Sequence, residues 1–432
     1  MRMKFNRSGQ LLLVSAASLL VAGLVTACST TQTVDFVYVT SAQAAGTNNY
    51  GEIDVLEVNS MSGAMRQIPT SPFPSGGRNP VADAVSADNT NLYVVNQDDN
   101  TIVQFVIGND GKIYPENTVN TPGIFPIAIA ISGSNLYVVD TYQPLPTCSN
   151  SAPCPGSVAV FPIQAKDSAN SEKLGTPVAN GNVNYWPLIL PAASSDIILP
   201  TGIAVLASSS DLYISAYDKT ANTGYIFGFW IAPASYTAVP SNVTCPPLPT
   251  GATTLPAGTL CPFNGAPVAA GVYPSGIASD PSGSYVYVTD KTGGVVLGFA
   301  IQPDSTLAPL TSGIGGGNTF QAGDQPSAIA ADPAGGYLYV TNSQDASITS
   351  YSMSSGKLTS IGTYATGVQP VAVCVDPSMH HYVYTANFLG SNVSGFEVSS
   401  TDGSLINTQN SPYRSNALPT AMVAIPHNGT KP

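Results

Sequence analysis

Leu338-Tyr339-Val340-Thr341-Asn342 reads as a short strand, with β-branched and aliphatic residues around a Tyr and an amide at the end. Close copies are Leu92-Tyr93-Val94-Val95-Asn96, Leu136-Tyr137-Val138-Val139-Asp140 and Val286-Tyr287-Val288-Thr289-Asp290. Looser copies are Phe36-Val37-Tyr38-Val39-Thr40-Ser41, Leu212-Tyr213-Ile214-Ser215-Ala216 and Val383-Tyr384-Thr385-Ala386-Asn387. A repeat of this kind, recurring every 44 to 55 residues with two longer intervals of 76 and 74, points to radial or stacked architecture rather than to several unrelated domains.

Two further patterns flank each Tyr. Upstream, a Pro opens a run of small and β-branched residues at Pro80, Pro126, Pro200, Pro274, Pro326 and Pro370. Proline is tolerated at the first residue of a strand. Ala82, Ala128, Ala204, Ala278, Ala328 and Ala372 suit a crowded centre. Downstream lies a third strand, as in Ile102–Ile107, Val158–Phe161, Val296–Ile301 and Val393–Phe396. The ends of the chain are complementary. The first Tyr strand has no Pro strand before it, and Pro419-Thr420-Ala421-Met422-Val423-Ala424 has no Tyr strand after it. A ring closed by the two termini accounts for both, so the sequence predicts an all-β, seven-bladed β-propeller over residues 36–426 with a tail at 427–432.

The two long intervals fall in blades three and four, each with a cysteine pair in Pro/Ser/Gly-rich sequence. Disulfides Cys148–Cys154 and Cys245–Cys261 are expected, with both insertions crowding one rim of one face. Cys374 falls in an inner strand, where a buried free thiol is expected. Tyr142, Tyr185, Trp186 and Tyr236 could form an aromatic patch for a protein partner; Trp186 and Trp230 fit equally as core.

The chain opens with Arg2, Lys4 and Arg7, then an apolar run from Leu11 to Val25, then Val25-Thr26-Ala27-Cys28. This is a signal peptide over residues 1–27. Its end resembles a bacterial lipobox, which implies lipidation at Cys28 and a short tether over 28–35. The expected location is the cell envelope, with Ser29 compatible with outer-membrane sorting. Beyond residue 27 the chain has 10 basic against 25 acidic residues, a net charge of −15. Such a charge speaks against nucleic-acid binding, which needs clustered Lys and Arg.

The Tyr339–Asn342 run, Ala330–Pro333 and its counterpart near Asp280, and the turns Ser71–Gly76 and Asn410–Tyr413 together resemble the YVTN-repeat and lactonase-type propellers, a 6-phosphogluconolactonase-like superfamily. The resemblance covers nearly all of Phe36 to Pro426. It implies hydrolysis of sugar lactones or related chemistry in a central cavity, with cationic and acidic side chains. This chain has no Arg between Arg78 and Arg414, and its histidines are His380, His381 and His427, so no catalytic cation of the family maps onto it.

Asn96, Asp140, Asp290, Asn342 and Asn387 close the second strand in five blades and are the expected ligand face. Asp140 and Asp290 are the candidate ligands if the site is calcium-assisted. The expectation from sequence is a lipid-anchored platform binding a protein, a polysaccharide or a small molecule. A lactonase-like hydrolase is the alternative, and a structural envelope protein a second one.

Overall fold

The computed structural model describes residues 33–165, 173–248, 250–378, 381–416 and 418–427. The expected signal peptide, Cys28 and His380 lie outside them.

The described residues form seven antiparallel sheets of four or five strands. Each Tyr pattern is the second strand of a blade, paired on one side to its Pro strand and on the other to the third strand. The inner strands are Pro80–Val85, Ile124–Ser132, Ile198–Val205, Pro274–Ser279, Pro326–Ala331, Pro370–Val375 and Pro419–Pro426. They contact one another in a closed circle. Ring closure is as the ends of the sequence demand. The strand Thr33–Ala45 pairs with Pro419–Pro426, setting Phe36 against Ile425, Tyr38 against Val423 and Thr40 against Ala421.

The repeated Tyr welds blade to blade. Tyr38, Tyr213, Tyr287 and Tyr384 are buried, and each hydroxyl crosses to the next blade's hairpin between its third and fourth strands. Tyr38 donates to Gly111 O at 3.0 Å, Tyr213 to Ser305 O at 2.7 Å, Tyr287 to Gly356 O at 3.1 Å and Tyr384 to Gly63 O at 3.4 Å. In these four blades an aromatic body fills the gap between sheets and its hydroxyl satisfies a carbonyl there, whereas the buried Tyr137 hydroxyl makes no such bond.

The Pro of each inner strand pairs with a residue in the second half of the second strand, its last residue in four blades, and the residue after the Pro is bulged out in all seven. Proline has no N–H to continue the ladder, so the register slips there. The freed position carries a hydroxyl in four blades. Ser275 donates to Pro326 O at 2.5 Å, Ser327 to Pro370 O at 2.6 Å and Thr420 to Pro80 O at 2.8 Å, stitching neighbouring inner strands together. Thr201 instead shares a hydrogen bond with Ser215.

Both disulfides form as neighbour pairs, Cys148–Cys154 and Cys245–Cys261. Their placement corrects the expectation of one crowded rim. The first bridges the loop between the second and third strands of blade three. The second insertion joins the third strand, Thr223–Ile231, to an outer strand, Leu260–Pro262, and so leaves blade four at the opposite face. The aromatic patch is also corrected. Tyr142, Tyr185, Trp186 and Trp230 are buried, and the half-buried Tyr236 packs edge-on against Trp230. Apolar area at the joints between blades outweighs its use at the surface.

Candidate active site

Counting from the Pro of each inner strand gives three successive rings around the axis. The first residue after it is the bulge. The second is Ala82, Ala128, Gly202, Gly276, Ala328, Ala372 and Ala421. The small-residue series expected from sequence was therefore two residues late in blades four and five, where Gly202 and Gly276 stand in place of Ala204 and Ala278. Crowding explains the choice. A Cβ on Gly202 would lie 3.2 Å from Ile277 Cγ2, and one on Gly276 would lie 3.3 Å from Ile329 Cγ2.

The third ring is Asp83, Ile129, Ile203, Ile277, Ile329, Val373 and Met422. Six members are aliphatic and one is a carboxylate. All seven line an axial channel of about 290 Å³, together with the small ring and Thr420. Among its lining residues there is no Lys, Arg or His, and Asp83 is the one carboxylate. Asp83 is half-buried. Thr40 Oγ1, on the closing strand pair, donates to Asp83 Oδ2 at 2.7 Å. Burial among apolar neighbours raises the Asp83 carboxyl to about 7, against the smaller opposing pull of the Thr40 hydrogen bond.

Sequence reading overlooked Asp83. The signal was present: aligning the seven Pro strands leaves Asp83 as the only charged residue in a column of aliphatic ones. Local conflict with an otherwise consistent pattern is where function is expected.

The five strand-end residues do ring one face, but their side chains are buried and turned into the blades. This corrects their assignment as a ligand face. Asp290 accepts from the backbone N–H groups of Val272 at 2.8 Å, Tyr273 at 3.0 Å, and Thr292 and Gly293 at 3.1 Å each. Asn342 accepts from Gly323 N–H and donates to Ser347 and Thr349. Asn387 donates to Asn392 and Ser394, and Asn96 faces Thr101. Asp140 accepts from Gly123 N–H at 3.2 Å, and burial raises its carboxyl to about 8. A glycine of the incoming loop lies against each of the five: Gly77, Gly123, Gly271, Gly323 and Gly367. These residues tie the loop between blades to the strand end. The four N–H donors on Asp290 engage its carboxylate within its own turn and the incoming loop.

A carboxyl pair lies at the other end of the ring closure. Asp35 and Asp376 are both fully buried, and Asp376 is near enough to disfavour ionisation of Asp35. Ser378 donates to Asp35 Oδ1, and its N–H donates to Asp376 at 2.7 Å. Burial and the neighbouring Asp376 raise Asp35 to about 9, so the pair holds a proton at neutral pH. Cys374 is a free, half-buried thiol. His381 is exposed, and His427 packs on Phe36 with ring centroids 5.3 Å apart.

The fold and the channel define a seven-bladed propeller with one axial pocket. Residues 254–419 match the family described as Lactonase, 7-bladed beta-propeller. No curated protein sequence matches it. Among solved structures it resembles a Bacteroides fragilis protein provisionally assigned as a 6-phosphogluconolactonase, with TM-score 0.66 and 19% identity over 92% of this chain and 99% of that one. It also resembles the Pseudomonas aeruginosa periplasmic gluconolactonase PpgL, with TM-score 0.63 and 17% identity over 91% and 99%. AztD of Citrobacter koseri shares the fold at TM-score 0.53 and 11% identity over 92% and 99%.

Proposed function

We propose that the chain is a lactone hydrolase working in the axial channel, with Asp83 as general base. One observation carries this reading: a solvent-reachable carboxyl, raised to about 7, replaces an aliphatic residue in an otherwise apolar ring. A base with that affinity for protons is half ionised at neutral pH and matched to activating water. The match of residues 254–419 to the lactonase propellers supports the reaction class. In the reaction, Asp83 takes a proton from water as its oxygen attacks the lactone carbonyl carbon. The ring C–O bond then breaks, and the leaving oxygen takes the proton back from Asp83. The product is the open hydroxy acid, and Asp83 is regenerated. Thr40 acts as a positioning residue that fixes the carboxyl through Oδ2. The test is hydrolysis of a lactone panel by the soluble chain and by Asp83→Asn. Turnover that falls at least about 100-fold in the variant supports the reading; equal turnover in both overturns the role of Asp83.

The binding-platform reading retains one supporting observation. Tyr217 and Tyr273 stack at 4.3 Å, and Tyr273 is exposed. Aromatic faces of this kind suit a polysaccharide or a partner loop.

We also propose export and lipid anchoring at Cys28. The two disulfides support an oxidising compartment. Among the described residues no helix is long and apolar enough to cross a membrane. Metabolic labelling with a fatty acid, lost in Cys28→Ala, is the expected outcome.

A further inference from the structure

We infer that the lactone this channel takes is uncharged and carries an aliphatic chain, which lies against the six aliphatic side chains that share Asp83's ring. For the lactone ring the inference rests on the hydrolase reading; for the chain it rests on the ring of side chains alone. Ile129, Ile203, Ile277, Ile329, Val373 and Met422 offer a continuous apolar wall, and the small ring beside them leaves room along the axis. A polyol would bring several hydroxyls against these groups with few partners. The hydroxyl protons of Thr420, Ser275 and Ser327 are spent on backbone carbonyls, Thr420 on Thr40 O and Pro80 O and the two serines on the next blade's Pro carbonyl, so none is left to donate to a sugar oxygen. Burying unpaired hydroxyls is unfavourable. A phosphate would enter a channel whose lining has no cation and one carboxylate, which repels it. An alkyl chain meets none of these penalties and gains from leaving water.

The experiment compares γ-butyrolactone with its γ-butyl and γ-hexyl derivatives, glucono-δ-lactone and 6-phosphogluconolactone, measured as kcat/KM. In parallel, calorimetry follows binding of 2-alkyltetrahydrofurans, which keep the ring and chain but lack the carbonyl. The expected result is a rise of about three- to fourfold per added methylene in both series until the channel is full, with no turnover of the phosphorylated sugar. Ile277→Ala should move the plateau to longer chains, and Ile329→Ser should flatten the series; unfolding curves of both variants confirm that they fold. Turnover that is independent of chain length overturns this inference and leaves the hydrolase reading intact. Chain-dependent binding without turnover of any lactone keeps the ligand class and sinks the hydrolase reading. Failure of both series, or preference for the phosphorylated sugar, overturns the inference outright.

Discussion

A carboxyl set among six aliphatic side chains costs stability in proportion to how readily it ionises. That makes Asp83 a residue at which function and stability should separate. Asp83→Leu completes the aliphatic ring, and at pH 8, where the native carboxyl is mostly ionised, the variant should be more stable by about 1 kcal/mol in urea unfolding while losing hydrolysis. Stability that falls in this variant would mean that the Thr40 contact outweighs the desolvation. The same carboxyl sets a pH profile. Its ionised form is the base, so kcat/KM should rise with pH and level off above a midpoint near 7. A midpoint near 4 would show that the working carboxyl is solvated and lies elsewhere. Tyr287 illustrates the opposite kind of residue, wholly structural. Tyr287→Phe keeps the aromatic packing and leaves Gly356 O without its partner, for an expected loss of about 1 kcal/mol and no change in activity.

At the scale of the element, each inner strand is a compromise. Its leading Pro breaks the ladder, and in blades one, five and six the bulge that follows turns a hydroxyl toward the next blade. Ser327→Ala should therefore loosen the joint between blades six and seven, visible as faster amide exchange in Pro370–Val375 against unchanged exchange in blade two. The Pro, Tyr and third-strand patterns were all legible beforehand, because alternation and Pro placement are local properties of strands. The bulge was not, and without it the small-residue ring was placed two residues late in two blades. Register across a sheet is decided by pairing between strands, which linear spacing does not encode. The strand-end Asn and Asp residues show the same limit. Their position in the repeat was readable, but the inward turn of their side chains depends on glycines of loops some 17 to 20 residues upstream.

At the scale of the whole molecule, proton binding couples the ring closure to pH. Asp35, Asp83 and Asp140 hold their protons up to about 9, 7 and 8 in the folded chain, against 3.8 for an ordinary Asp. Between pH 4 and 9 the folded state thus binds more protons than the unfolded one, and stability is lost as pH rises through that window. Thermal unfolding should occur at lower temperature at pH 9 than at pH 5. Asp35→Asn, which mimics the protonated form at the closure of blades one and seven, should reduce that difference. A flat profile in the wild-type chain would show that the pair near Asp376 is reached by water.

What the sequence determined by itself was the ring. Seven repeats with complementary ends admit one closed arrangement, because an inner strand left unpaired at either terminus would expose its backbone. The neighbour pairing of the cysteines followed from the same local economy. What only the tertiary structure decided was the site. Asp83 lies 43 residues from Thr40 in the chain, and the two meet across the joint between blades one and two. The six side chains that share its ring come one from each of the six other blades. A carboxyl's affinity for protons is set by what surrounds it in space, and that company exists only after the ring has closed.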